Sequence, residues 1–168
     1  MDIDITYNQA ELRELGKKYP GIVREETVAV MEMIVARLEK EVVERTPRGV
    51  GGEAGLAGSI AGEVKGRGSP VTGTVGTPLE YGEVVELGRR PGKAMPPVGP
   101  IILWARRKLG VSEEDGEHVG FAIARKIAIE GFEGAKMFES ALEDNRRWIQ
   151  NMLYTIPDRV KKRIGGGT

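Results

Sequence analysis

The chain has 168 residues, with 25 Lys plus Arg against 25 Asp plus Glu, so its formal net charge is zero and wholesale polyanion binding is disfavoured. It has no cysteine, which excludes disulfides, thiolate catalysis and cysteine-ligated zinc together. The start lacks a basic-then-apolar leader and no apolar run approaches the ~20 residues of a membrane span, so a soluble protein made in a reducing cytosol is expected. The length suits one domain over residues 1–168. Glycine is the compositional oddity: 24 residues, 13 of them between Gly49 and Gly92. Because glycine loses much backbone entropy on folding, that cluster suggests tight turns, a loose ribbon or mobile loops.

In chain order, Met1–Tyr7 alternates apolar and polar residues like a short half-buried strand. Asn8 can cap a short helix from Ala10 to Lys18, ending near Gly16 or Pro20. Gly21–Thr46 carries the strongest helical signal, with Thr27, Met31, Ile34, Leu38 and Val42 at three- and four-residue steps. Glu39, Lys40, Glu41, Glu44 and Arg45 are assigned to its outer face. About 25 residues at 1.5 Å rise make a rod of ~38 Å, which Pro47 ends.

Residues 48–58 read as a flexible glycine-rich loop. Ile60–Lys65 and Val71–Thr77 read as a hairpin joined at Gly66–Pro70. Leu79–Leu87 is a helical turn or two stopping at Gly88, and a second flexible loop covers residues 89–97. The next helix has Pro100 in its first turn, Ile101, Trp104 and Leu109 on its apolar side, and Gly110 as its stop. Ser112 with Glu113, Glu114 and Asp115 starts another, which Val119, Ala122, Ile123 and Ile127 carry toward Gly131. A last helix begins near Ala135 with the stripe Phe138, Ala141, Leu142, Asn145, Trp148, Ile149, Met152 and Leu153. Pro157 interrupts it, leaving a basic C-terminal tail over residues 157–168. The fold class is α+β: a long N-terminal helix, a small antiparallel β-sheet or hairpin in the middle, and helices in the C-terminal half.

Candidate chemistry is sparse, and no catalytic residue, metal ligand or cofactor site is assigned. His118 sits among acids but lacks a second nitrogen ligand, so a solvated helix-start histidine is preferred over a metal site. Gly58-Ser59-Ile60 is not a nucleophile elbow. The runs Gly49–Gly52 and Gly66–Gly68 lack the strand-before, helix-after context of a phosphate loop. Glu80, Glu83 and Glu86 share one predicted face, read as solvated or subunit-contacting rather than as acid–base pairs. Six cations, Arg89, Arg90, Lys93, Arg106, Arg107 and Lys108, lie between Gly88 and Gly110 without an intervening acid. Such a stretch can contact phosphates. It can equally pair with Glu113 and Glu114 of a neighbouring subunit, and no stacking aromatics favour the nucleic-acid reading.

From Thr46-Pro47 onward, a family resemblance comes into view. A long helix ending in Thr-Pro is followed by Gly55-Leu56-Ala57-Gly58-Ser59-Ile60, then two short strands. Next comes Gly76-Thr77-Pro78-Leu79-Glu80-Tyr81-Gly82-Glu83-Val84-Val85-Glu86-Leu87-Gly88, closed by Arg89 and Arg90. This order resembles the tail-component family of long-tailed double-stranded DNA bacteriophages, which includes neck and tail-completion proteins and is distantly similar to lambda minor tail protein Z. Met95–Pro100, Trp104–Gly110 and Phe121–Ala128 look like one branch of that family, extending the likeness over residues 21–153. The glycine loop departs from the usual pattern, with Ala54-Gly55 directly before Leu56.

The resemblance implies a structural, non-enzymatic virion protein at the head–tail joint, assembled in the host bacterial cytoplasm. Its expected partners are copies of itself in a ring around the DNA channel and neighbouring neck and tail proteins, with channel DNA as a further contact and no membrane. The alternative is a DNA-contacting accessory protein using the basic stretch 89–108.

Overall fold

The structure, a computed structural model, describes residues 9–48, 55–66 and 70–166. The expected strand at Met1–Tyr7, its neighbour Asn8, residues 49–54 of the first loop and 67–69 of the hairpin turn lie outside the described residues. The chain forms two compact units: the described residues of Met1–Val42, Ala61–Gly76 and Glu139–Thr168, and those of Val43–Ile60 and Thr77–Phe138.

The first unit is built on α2, Pro20–Arg45, whose 26 residues make a rod of about 39 Å. Pro20 occupies a first-turn position, where its missing N–H costs nothing, and only Tyr19 separates α2 from α1 (Gln9–Lys18). Val30 and Ile34 of α2 meet Leu12 of α1, Ile149 and Leu153 of α7 (Met137–Tyr154), and Ile156 and Val160 of α8 (Ile156–Gly165) in one apolar core. The α7 stripe read from sequence is the buried one, with Ala141, Asn145, Ile149 and Leu153 all inward. Asn145 satisfies its buried amide on the Ala141 carbonyl, 2.8 Å away. The Arg37 guanidinium lies 4.4 Å from the centre of the Trp148 ring.

Of the residues expected to form a basic tail, 157–165 are helical. The break falls at Thr155, Pro157 sits in the first turn of α8, and Ile156, Pro157 and Val160 are buried. An apolar pair one turn apart helps to dock this helix, and a first-turn proline starts it rather than ending it.

A second face of α2 carries the hairpin. β1 (Ala61–Lys65) and β2 (Thr72–Gly76) pair antiparallel, with Gly62 opposite Val75 and Val64 opposite Gly73. A Cβ at Gly62 would lie 2.3 Å from a Val35 methyl, and one at Gly73 2.5 Å from the other. These glycines therefore let a ribbon lie against a helix, whereas their density alone suggested looseness. Glu39, assigned from sequence to the outer face, is half-buried, and its carboxylate accepts the Gly62 N–H at 2.8 Å.

The second unit begins with α3, Leu56–Ser59, one helical turn where the sequence reading had loop. α4 (Tyr81–Leu87) follows, then β3 (Gly88–Arg89), α5 (Val98–Leu109), α6 (Glu113–Glu130) and β4 (Phe132–Glu133). Residues 90–97 belong to no helix or strand. α5 and α6 form a helical hairpin turned at Gly110, whose φ of 68° is the left-handed stop glycine allows. The buried positions of α6 are Gly116, Gly120 and Ala124, whereas Ala122 is exposed. A Cβ at Gly120 would lie 2.5 Å from Ile102 Cγ1 and 3.0 Å from its Cα. The two helices approach through small residues, so Val119, Ile123 and Ile127 reach only half-buried positions.

Candidate assembly surface

The residues that carry the sequence resemblance are the ones that set α4 in place. Ser59 Oγ donates to the Leu56 carbonyl at 2.8 Å and lies 2.6 Å from Thr77 Oγ1. With the Ser59 proton so engaged, Thr77 donates to Ser59 and accepts the Leu79 N–H at 3.2 Å. A Cβ at Gly82 would meet Thr77 Cγ2 at 2.6 Å and Leu56 Cδ1 at 3.3 Å, so the Leu, Thr and Gly of the motifs interlock. Thr46, from the Thr-Pro pair, is buried with its hydroxyl 3.2 Å from the Met137 sulfur.

The end of α4 is fixed by backbone packing. Gly88 has a φ of 76°, and a Cβ there would lie 2.4 Å from the Phe132 carbonyl oxygen. Gly131 and Gly134, on either side of β4, answer it, with hypothetical Cβ atoms 2.1 Å from the Arg89 and Glu86 carbonyl oxygens respectively. The short β3–β4 pair exists because three glycines let main chain touch main chain. Glu86 is not a free acid: its carboxylate accepts the Phe138 N–H at 3.0 Å, satisfying one of the unbonded donors at the start of α7.

Outward, this framework presents three large apolar side chains beside the exposed acids Glu80 and Glu83. Tyr81 is 48 % exposed, Val84 38 % and Leu87 70 %, all within α4. By contrast α2 leaves only Met33 among its large apolar side chains exposed. The apolar side of the long helix is covered by the core and the hairpin.

The expected charged contact residues are dispersed. Arg89 is half-buried in β3, where its Nη2 donates to the Ala94 carbonyl and its buried Nε has no partner among the described residues. Arg90 and Lys93 are exposed in the following segment. Arg106 lays its stem over Gly116 and bonds Glu113 at 3.0 Å, so the basic and acidic patches already meet once within this chain. Arg107 and Lys108 stay exposed in the last turn of α5, and Glu114 in the first turn of α6, each where the helix dipole favours its sign. Ser112 accepts the Asp115 N–H at 3.0 Å and donates to its carboxylate at 2.7 Å, so the acidic run is partly a helix start.

Charge in the first unit is organised around Glu26, whose side chain is 14 % exposed. It accepts from Arg159 at 2.8 Å and from Arg163 at 3.3 Å. The Arg159 hydrogen bond, opposed by burial, holds the Glu26 carboxyl below its ordinary value. Arg163 also pairs with Glu25 at 2.5 Å, and Lys161 with Glu11.

Two open hollows lie on this unit, of about 300 Å³ beside Arg24 and Glu32 and about 530 Å³ beside Arg159 and Lys162. Neither holds a nucleophile beside a base. Among the described residues no group of three or more His, Cys, Asp or Glu is placed to hold a metal ion, and no helix is long and apolar enough to cross a membrane.

No curated protein and no solved structure matches the chain. Residues 10–88 match the family described as "Bacteriophage HK97-gp10, putative tail-component". The match runs from α1 to Gly88, the first of the three interlocking glycines, and takes in every motif from Thr46-Pro47 to that glycine. Over residues 10–88, this chain is similar to a bacteriophage tail-component family.

Proposed function

We propose that this protein is a structural, non-enzymatic subunit of the phage head–tail joint, acting as a neck or tail-completion protein. In this reading, copies form a ring around the DNA channel and seat the tail through contacts with neighbouring neck and tail proteins. The observation that carries it is the exposed apolar face of α4 within the matched segment. Tyr81, Val84 and Leu87 are exposed although Thr77, Gly82 and Gly88 pack the helix closely beneath them. A closely packed helix that exposes three large apolar side chains is suited to docking, because burial of apolar area drives association.

Head-to-tail contacts in a closed ring join unlike patches. Arg90, Lys93, Arg107 and Lys108 on one side and Glu114 on the other remain outward for that role, while Arg89, Arg106 and Glu113 are already engaged within the chain. The same four exposed cations support the alternative, a DNA-contacting accessory protein.

One comparison separates the two readings. Reversing Arg107 and Lys108 to Glu should block assembly, measured by light scattering, and added Glu114→Lys should restore part of it. Like charges would otherwise repeat at every interface, although a single exposed pair is worth only about 0.2–1 kcal/mol. Unchanged assembly, with duplex affinity and its salt dependence both lost, would establish the DNA-contacting reading instead.

A further inference from the structure

α6 bears a second exposed surface, on a different helix from α4. Its inward positions are Gly116, Gly120 and Ala124; a Cβ at Gly116 would lie 2.9 Å from the Arg106 stem and one at Gly120 2.5 Å from Ile102. Phe121, one residue round the helix from Gly120, is 52 % exposed. Glu117 and Arg125 lie four residues before and four after it, on the same side of the helix and both exposed. Neighbouring charges find partners within the chain, Arg106 with Glu113 and Lys126 with Glu130. Glu117 and Arg125 take none among the described residues.

We propose that this face of α6 docks onto the same face of a second copy, antiparallel and centred on Phe121. The spacing dictates the geometry. A two-fold axis through Phe121 sets each Phe121 against its counterpart, offset-stacked as aromatic pairs prefer. The same axis places Glu117 opposite the partner's Arg125, and Arg125 opposite the partner's Glu117. Any parallel pairing in register sets like charge on like, so the charge pattern selects the antiparallel arrangement. The contact is isologous, unlike the head-to-tail contacts of a ring, and it shares no residue with the α4 face. It belongs to the free protein, where it shields an aromatic side chain from water, and it does not depend on the virion role. With one aromatic pair and two exposed ion pairs, the dimer is weak and concentration-dependent.

Because the chain has no cysteine, Phe121→Cys supplies a single thiol at the proposed axis. Mild oxidation of that variant should give a disulfide-linked dimer, whereas Thr74→Cys, exposed on β2, should stay monomeric at the same concentration. Equal cross-linking of the two variants would overturn the proposal. Sedimentation equilibrium of the cysteine-free chain then tests the register. Glu117→Arg and Arg125→Glu should each weaken dimerisation about tenfold, because the reversal is felt twice, and the double variant should return to within about threefold of the parent. A double variant no better than the singles, or a parent chain monomeric at every concentration, would also overturn it. Circular dichroism confirms the fold of each variant, since all three positions are exposed.

Discussion

Glycine is informative here for what approaches it. Gly88, Gly131 and Gly134 each stand where a methyl group would meet a neighbouring main-chain oxygen at 2.1–2.4 Å. Backbone atoms cannot swing aside as a flexible side chain can, so alanine at these positions must separate β3 from β4. Gly134→Ala and Gly88→Ala should therefore each cost about 1–3 kcal/mol in chemical denaturation, the range for overpacking or imposed backbone strain. Gly76→Ala is the control: nothing lies within 4 Å of its Cβ position and its φ is not positive, so its effect should stay within about 0.5 kcal/mol. Equal losses at Gly134 and Gly76 would show that the backbone contact is not what these glycines provide. None of this was legible from composition, since local reading registers the entropic cost of glycine but not its neighbour. The spacing Gly116, Gly120, Ala124 is the one pattern that betrays close helix approach, and Val119, Ile123 and Ile127 flank it as half-buried neighbours.

At the scale of elements, the punctuation was readable. Pro47 beyond α2, Gly88 after α4, Gly110 after α5 and Ser112 before α6 each act through their own backbone or side chain, which is why local sequence reveals them. The roles of Glu39 and Glu86 depend on partners 23 and 52 residues away, and no periodicity announces those. Docking of α8 is likewise tertiary, resting on Ile156 and Val160 together with the Glu26 carboxylate. The sign of its pH dependence follows from the lowered Glu26 pKa. A carboxyl depressed in the folded state contributes stability that is fully present above its ordinary value of 4.5 and is lost as pH falls through the lower folded value. Stability measured by denaturant titration should thus fall on acidification below about pH 4.5, and Glu26→Gln should flatten that limb while lowering stability at neutral pH. An unchanged acid limb in Glu26→Gln would assign the acid sensitivity to other carboxylates.

At the scale of the whole molecule, the fold class was legible because each long helix carries its own apolar stripe, and the family likeness was legible because its motifs are contiguous. The charged contact residues were less so. Arg89, Arg106 and Glu113 look available in sequence, yet the structure spends them on the Ala94 carbonyl and on an ion pair across the α5–α6 turn. The apolar face of α4 went unnoticed because Tyr81, Val84 and Leu87 resemble ordinary core positions until their exposure is known. If that face seats the protein between head and tail, the most direct measurement is electron microscopy of lysates from phage carrying Leu87→Asp, beside the parent. Leu87 is 70 % exposed, so the variant should fold, which thermal denaturation verifies. The result expected is DNA-filled heads and free tails that fail to join. Complete particles in normal number, carrying the variant protein at the parental level, would contradict the assignment.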